Sequence, residues 1–564
     1  MNANTQTPFA NAYSDQTHAV ENQSYALENY NAYTTDLALV EAVHREGGSW
    51  GHDSLVAFGQ ECGEPERIAL GFQANANKPV YRPHDHYGRR VDQIDFHPAY
   101  HELMDVYRRN NIHALPWTNP QPGAHVVRTA KAYLNCQVEA GHGCPGTMVF
   151  ACVPALKQQP DLAEKWLPLI TNEHYDPRNI PAHQKKGITV GMAMTEKQGG
   201  TDVRSNTTRA YPVGTGGPGA EYELVGHKYF VSAPMADVFL VLAKTEVGIS
   251  CFLVPRWRPD GSKNPIQVQQ LKDKMGNISN ASSETELRGA LGWLIGEEGK
   301  GIKTILEMVS LTRFDCMLGS ASGMRAAMAH ITHHCAQRKA FGKHLNQQPL
   351  MQNVLADLAI ESEAALAFTM RMARALDNAG LDAHEDNFMR MGTAVGKYWI
   401  CKRGPGHAYE AMECIGGSAV METSIMPRLY REAPINAIWE GCGNVQALDV
   451  LRAMQREPES LQAFLAEVNR AKGADKHFDK FALSLENDFS DLASLEYRAR
   501  QVVEKMGVAI QASLLIQADN TLVAEAFCAS RLHQHGFNMY GTLPKGIDCN
   551  AIVERATPEV DWLK

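Results

Sequence analysis

The chain has 564 residues, too many for one hydrophobic core, so three or four domains are expected. An apolar share of 44% and a charged share of 21% are ordinary for a globular protein and exclude a fibrous or wholly disordered chain. The net charge of −9 argues against general binding to nucleic acid or acidic membranes. Twelve cysteines are scattered without a C-x-x-C pair, which reads as reduced thiols and a cytoplasmic protein. The first twenty residues are polar and lack a signal-peptide pattern, and no apolar run reaches the ~20 residues that span a bilayer.

Residues 1–188 read as mostly helical. Apolar residues recur at helical spacing over 126–138 and 148–156, and Pro116, Pro120, Pro122 and Gly123 keep the helices short. From 189 to 297 the period changes. Residues 221–232, 237–244 and 249–255 are β-rich runs between turn residues, and 284–287 and 290–295 read as two further short strands. A small, mainly antiparallel β domain is predicted there. From 298 to 452 helix returns, over 302–338 and 350–376, with Pro349 fitting the first turn of the second. Long helices joined by short loops predict an antiparallel bundle. Residues 453–564 form a fourth, helical segment. The predicted fold class is mainly α with a central antiparallel β domain and an extra C-terminal helical domain.

The first stretch that carries chemistry is Ala193-Met-Thr-Glu-Lys-Gln-Gly-Gly-Thr-Asp-Val-Arg-Ser205. Adjacent glycines followed by Thr201 and Asp202 can expose backbone N–H groups to an acceptor-rich ligand, and Thr195 and Thr201 add hydroxyls. By composition alone, a polar loop is the plainer account. The run resembles the signature of the acyl-CoA dehydrogenases, in which small-apolar-Thr-Glu-x-x-Gly-Gly-Ser/Thr-Asp lies against the flavin. The helix–β–helix order over roughly residues 30–450 is similar as well. Stretches 194–209, 271–282, 312–316, 401–404 and 438–452 resemble the AidB-like branch of that family, linked to the bacterial alkylation response and carrying an added C-terminal helical domain.

The resemblance implies FAD as cofactor. It implies that Met192, Met194, Thr195, Gly200 and Thr201 hold the isoalloxazine, and that Phe230, Val231 and Ser232 of Lys228-Tyr-Phe-Val-Ser232 back it. Arg338 and Phe341 resemble the family's Arg-x-x-Phe-Gly, whose Arg reaches the FAD diphosphate across a subunit interface. Gly417, in the Gly416-Gly417 pair, would lie near the adenine side. The chain departs from the pattern at Pro349, Glu413 and Ala419, where the family has Gln, Gln and Gly.

Ile438-Trp-Glu-Gly-Cys-Gly-Asn444 is similar to the family's Tyr-Glu-Gly-Thr stretch. The resemblance implies Glu440 as the base that removes the α-proton, with Ile438, Trp439 and Asn444 at flavin contacts. Relatives that place their Glu before Arg313 instead would have it at Thr312, which cannot act as a base. Ser310 and Arg313 fall on the family's substrate turn. Arg313 is expected to fix CoA or the Glu440 loop, or to pair with Asp315 or Glu440.

Residues 214–219 imitate a dinucleotide fingerprint but precede a strand, so a hairpin loop is expected. His84 with His86, and His333-His334-Cys335, lack partners at metal-ligand spacing, and no metal is expected. In 453–564, twelve Lys/Arg stand against sixteen Asp/Glu, and Arg470, Lys472, Lys476, Lys480, Arg498, Arg500 and Lys505 interleave with acids. Two functions stay open. One is an FAD-dependent dehydrogenase acting on an acyl-CoA thioester, with an electron-accepting flavoprotein as partner. The other is a DNA-binding stress flavoprotein using the C-terminal domain. A homotetramer or dimer is expected, with no membrane association.

Overall fold

The computed structural model describes residues 19–491, 493–532, 543 and 546–559. The polar arm at the N-terminus falls almost wholly outside them.

Among the described residues, the N-terminal region holds the helices α1 (Leu37–Arg45), α2 (His52–Cys62), α3 (Pro65–Ala76), α4 (Pro98–Arg109), α5 (Leu115–Thr118), α6 (Ala124–Val138), α7 (Gly143–Leu156) and α8 (Pro160–Ile170). α6 and α7 are buried on nearly every side, so their apolar residues follow no single stripe. A hairpin of β1 (Val80–His84) and β2 (Arg90–Asp95) interrupts the helices, and His84 and His86 lie at its turn. No strand was expected there. β1 is largely exposed and polar and contains Pro83, so it carries no apolar alternation to read.

The β domain comprises β3 (Val190–Ala193), β4 (Arg209–Pro212), β5 (Glu221–Ser232), β6 (Val238–Lys244), β7 (Ile249–Pro255), β8 (Ile266–Leu271) and β9 (Ser282–Ile295). Most pairs are antiparallel, as expected. However, β3 runs parallel to β6, and the β3–β6 and β5–β9 pairings close the sheet on itself. Tyr222, Leu224, Phe239, Phe252 and Leu294 fill the closed interior as a core of their own. The two strands expected over 284–295 are one continuous β9, because a register shift opposite Leu224 and Val225 absorbs the irregular stretch without ending the pairing. Residues 214–219 join antiparallel β4 and β5 as a hairpin loop.

The bundle consists of α9 (Gly301–Gln337), α10 (Pro349–Asp377), α11 (Ala383–Ile415), α12 (Met426–Ile438) and α13 (Gly443–Arg456). Pro349 opens α10 at N1, where its missing N–H costs nothing. α9 is the central beam and packs on α6, α7, α10, α11 and α12. The C-terminal region, from α14 (Pro458–Asn469) through α15 (Lys476–Asp488), α16 (Ala499–Gln517) and α17 (Thr521–Phe527) to α18 (Cys549–Ala556), docks on this bundle. The buried guanidinium of Arg371 ties the two together, reaching Glu467 at 3.0 Å and Glu385 at 2.7 Å. Among the described residues, no helix is long and apolar enough to cross a membrane.

Candidate active site

A cavity of about 830 Å³ opens where α6 and α7, the outer face of the β domain, α9, α12 and the α12–α13 turn converge. This is the size of a cofactor or drug-sized ligand pocket. Met192, Met194, Thr195, Gly200 and Thr201 line it from the β3 turn, and Phe230 and Ser232 from β5. Ile438, Trp439 and Glu440 line it from the end of α12, and Arg313 from α9.

Val231 does not reach this cavity. Successive residues of a strand face opposite ways, so Phe230 and Ser232 point outward while Val231 enters the closed β core. Ser310 and Asn444 also lie outside the lining. Arg338 donates to the Asn22 carbonyl, Phe341 is 101% exposed, and Gly417 sits in an exposed one-turn helix. Within a single chain, none of these three lines the cavity, and Arg338 is half-buried.

Glu440 stands in the left-handed region at φ 58°, a conformation that costs a side-chain-bearing residue roughly 1–2 kcal/mol. Its neighbours hold it there. Arg313 Nε donates to the Glu440 carbonyl at 3.0 Å, and Gln446 Nε2 donates to the same oxygen at 3.2 Å. Lys397 Nζ donates to the carbonyls of Trp439 and Gly441, each at 2.7 Å. Gly441 follows at φ 103°, where a Cβ would meet Gln446 and Val445 at 2.8 Å. Within this turn the Glu440 carboxylate lies 3.0 Å from the Thr312 hydroxyl, which is also 3.0 Å from the Val309 carbonyl. One hydroxyl proton serves one acceptor at a time, so an ionised Glu440 competes for it. Burial pushes the Glu440 carboxyl above the ordinary range, while the Thr312 hydroxyl and the Arg313 and Lys397 cations pull it back.

Arg313 does not pair with Asp315. Its Nη1 binds Asp449 at 2.9 Å, and Asp315 is taken by Arg128 and by the Thr147 hydroxyl. The β3 turn is held from beneath. The buried Glu196 carboxylate receives Lys228 Nζ at 2.8 Å, Thr207 N at 2.6 Å and Thr208 N at 3.2 Å. Burial alone would raise this carboxyl, but the Lys228 ammonium and these donors carry it down to about 2. Thr195 is thereby presented to the cavity, its carbonyl bound by Tyr229 N at 2.8 Å. Lys397, Gln446 and Asp449 were missed in the sequence, where each is an unremarkable residue on a helix. Glu196 had a signal, since it sits inside the Thr-Glu motif.

These residues fit a flavin. Phe230 is 44% exposed although it lies on a strand, and Trp439 is only partly covered, so two aromatic surfaces face the cavity beside the Thr195 hydroxyl. Apolar walls with a few convergent donors suit a planar ring with an acceptor-rich edge.

Comparison with known proteins agrees. Residues 22–177 match the adaptive response protein AidB N-terminal domain, 191–290 the acyl-CoA dehydrogenase middle domain and 299–455 its C-terminal domain. AidB of Escherichia coli (strain K12) is 44% identical over 92% of this chain and 95% of its own length. The chain belongs to the acyl-CoA dehydrogenase family, in its AidB-like branch. It is therefore an oxidoreductase of the FAD-dependent acyl-CoA dehydrogenase type. Acyl-CoA dehydrogenase family member 11 of Caenorhabditis elegans is 29% identical over 73% of this chain and 68% of its own. Among solved structures, Caenorhabditis elegans ACDH-11 in complex with C11-CoA has the same fold, with TM-score 0.81 and 24% identity over 98% of this chain and 96% of that one. The apo-form of Bd2924 matches with TM-score 0.80 and 26% identity over 88% and 99%.

Proposed function

We propose that this dehydrogenase oxidises an acyl-CoA thioester between Cα and Cβ, with Glu440 as the base. The observation that carries the reading is the Glu440 carboxylate, raised by burial and aimed into the same cavity as the β3 turn and Trp439. A carboxylate removes the α-proton best when its pKa is lifted toward the working pH. Thr312 donates to the ionised form, and Arg313, Gln446 and Lys397 keep the turn from swinging away. Met192, Met194, Thr195, Gly200, Thr201, Phe230, Ser232, Ile438 and Trp439 would hold the isoalloxazine. FAD, when bound, supplies the acceptor for the hydride that leaves Cβ. Arg338, Phe341 and Gly417 would serve a neighbouring subunit's cofactor in a homotetramer, which accounts for the exposure of Phe341 and Gly417. A flavoprotein electron acceptor would complete turnover.

DNA gains no support from the C-terminal region. Arg470 pairs with Glu467, and Arg498 and Lys505 pair with Asp488. These cations are partly neutralised, in a segment whose overall balance is −4 over 453–564.

The test is Glu440→Gln in the FAD-loaded protein. Turnover of acyl-CoA with an artificial electron acceptor should fall by about 10²–10⁴-fold, with FAD content and acyl-CoA binding retained. Full turnover in that variant would refute the role of Glu440.

A further inference from the structure

The cavity wall holds a cation that proton abstraction does not use. Between β8 and β9 the chain forms a loop closed at its base, where Lys272 N donates to the Ser282 carbonyl at 2.8 Å. The loop is pinned on α12. A Cβ on Gly276 would meet the Arg431 carbonyl at 2.4 Å, and Asn277 N donates to Glu432 at 2.6 Å. Lys274 stands on this loop, partly covered, and lines the cavity. Its Nζ donates to the Asn280 carbonyl at 2.7 Å and to the Ser282 hydroxyl at 3.0 Å. Both acceptors are neutral, and none among the described residues takes the third N–H.

Other cations around the cavity are balanced or turned away. Arg313 and Arg452 share Asp449, at 2.9 and 3.5 Å. Arg428 lays its guanidinium against the Phe72 ring and the Val138 carbonyl. Beside the wall, Lys228 pairs with Glu196 at 2.8 Å and Lys272 with Glu284 at 2.6 Å. Lys274 has no carboxylate at ion-pair distance among the described residues; Cys144 and Glu432 are the titratable groups that face it. Burial pushes the Cys144 thiol up to about 12, so it is neutral, and burial with the Glu139 carboxylate pushes Glu432 up to about 7. A desolvated ammonium with neutral partners is costly unless a negative charge comes to it.

The ammonium stands on the side of the cavity proposed above for the isoalloxazine. Ser282, which it binds, is directly opposite Ser232 in the β5–β9 register, where facing Cβ atoms are about 4.5–5.5 Å apart. Ser232 and Phe230 are the β5 residues that line the cavity, and Cys144, hydrogen-bonded to Ser232, closes the same corner. Dehydrogenation brings a charge to this wall. The α-proton goes to Glu440, the Cβ–H bond breaks with both of its electrons, and the oxidised thioester becomes α,β-unsaturated. The hydride carries two electrons and one negative charge to the cofactor. A cation held in place by two hydrogen bonds, with no carboxylate competing for it, favours the reduced form over the oxidised one.

We infer that Lys274 is the cation that stabilises the reduced, negatively charged FAD and so sets its reduction potential. This rests on the placement of FAD against Phe230 and Ser232, not on the identity of the thioester.

The FAD-loaded wild type and its variants are reduced stepwise without oxygen beside a redox dye of known potential, with no thioester added. Lys274→Met keeps the length of the side chain and removes the charge. Its reduction equilibrium should shift roughly ten- to hundredfold toward oxidised FAD, a midpoint about 30–60 mV lower for two electrons. Lys274→Gln keeps amide donors for Asn280 and Ser282, should shift in the same direction, and serves if Lys274→Met does not fold. Lys274→Arg keeps the charge and should stay within about threefold of the wild type. Phe230→Leu checks the placement, because the flavin absorbance band should shift when the ring beside it is removed. A midpoint unmoved in Lys274→Met and Lys274→Gln, or moved as far in Lys274→Arg, overturns the role of Lys274. Loss of FAD from the two uncharged variants but not from Lys274→Arg assigns the cation to cofactor retention and also overturns it. A spectrum unmoved in Phe230→Leu refutes the placement and the inference with it. A shifted spectrum with an unmoved Lys274→Met midpoint refutes Lys274 alone.

Discussion

Glu440, the proposed base, sits under opposing influences of similar origin. Burial raises its carboxyl, and Thr312, Arg313 and Lys397 lower it. A base works only when ionised, so kcat/KM should rise with pH through a limb lying above the ordinary carboxylate range. Replacing Thr312 by Val removes a donor to the ionised form, so the limb should move to higher pH while FAD content stays constant. A limb that stays in place or moves down would show that Thr312 does not tune the base. The place of Glu440 on the cavity wall was legible in the sequence through the Trp-Glu-Gly stretch. Its support was not. Lys397 is one of two lysines on a long helix, 42 residues from the carbonyl of Trp439 that it binds, and nothing local to it announces that contact. Val231 shows a different limit: side chains of consecutive strand residues alternate between faces, so Phe230 and Ser232 line the cavity while the Val231 side chain enters the β core.

The β3 turn is an element whose shape depends on one buried ion pair. Glu196 and Lys228 are both fully covered, and the turn that presents Thr195 folds around them. Lys228→Met leaves the carboxylate buried with hydroxyl and backbone donors but no cation, which should cost about 3–5 kcal/mol and lower Tm, with weakened FAD retention. Adding Glu196→Gln should recover part of the loss, because the uncompensated charge then disappears. A Tm unchanged in the single variant would contradict the account. Elements with strong periodicity were readable in advance: β7 coincides with the predicted 249–255, and α9 and α10 differ from their expected bounds by a residue at each end. Elements without it were not. The β1–β2 hairpin is polar and exposed, and the continuity of β9 depends on cross-strand register that one segment cannot reveal.

At the scale of the whole molecule, the cavity exists only because three layers meet. α6 and α7 supply one wall, the outer face of the β domain another, and α9 with α12 the third. Helix–β–helix order was legible from the change of period, but the closure of the sheet was not, since it arises from β3–β6 and β5–β9 pairings between distant segments. If Arg338 serves a neighbouring subunit's FAD, then Arg338→Ala should weaken FAD retention roughly tenfold to hundredfold, the worth of a charge-assisted hydrogen bond, without disturbing the Glu440 turn. Light scattering of the wild type should give a tetrameric mass, and an FAD-loaded monomer would contradict the shared site. The central claim is that Glu440 and bound FAD together oxidise an acyl-CoA. Anaerobic mixing of the FAD-loaded protein with a panel of acyl-CoAs tests it most directly. At least one thioester should bleach the oxidised flavin absorbance in the wild type and fail to do so in Glu440→Gln. Thioesters that bind yet leave the flavin oxidised across the whole panel would contradict it.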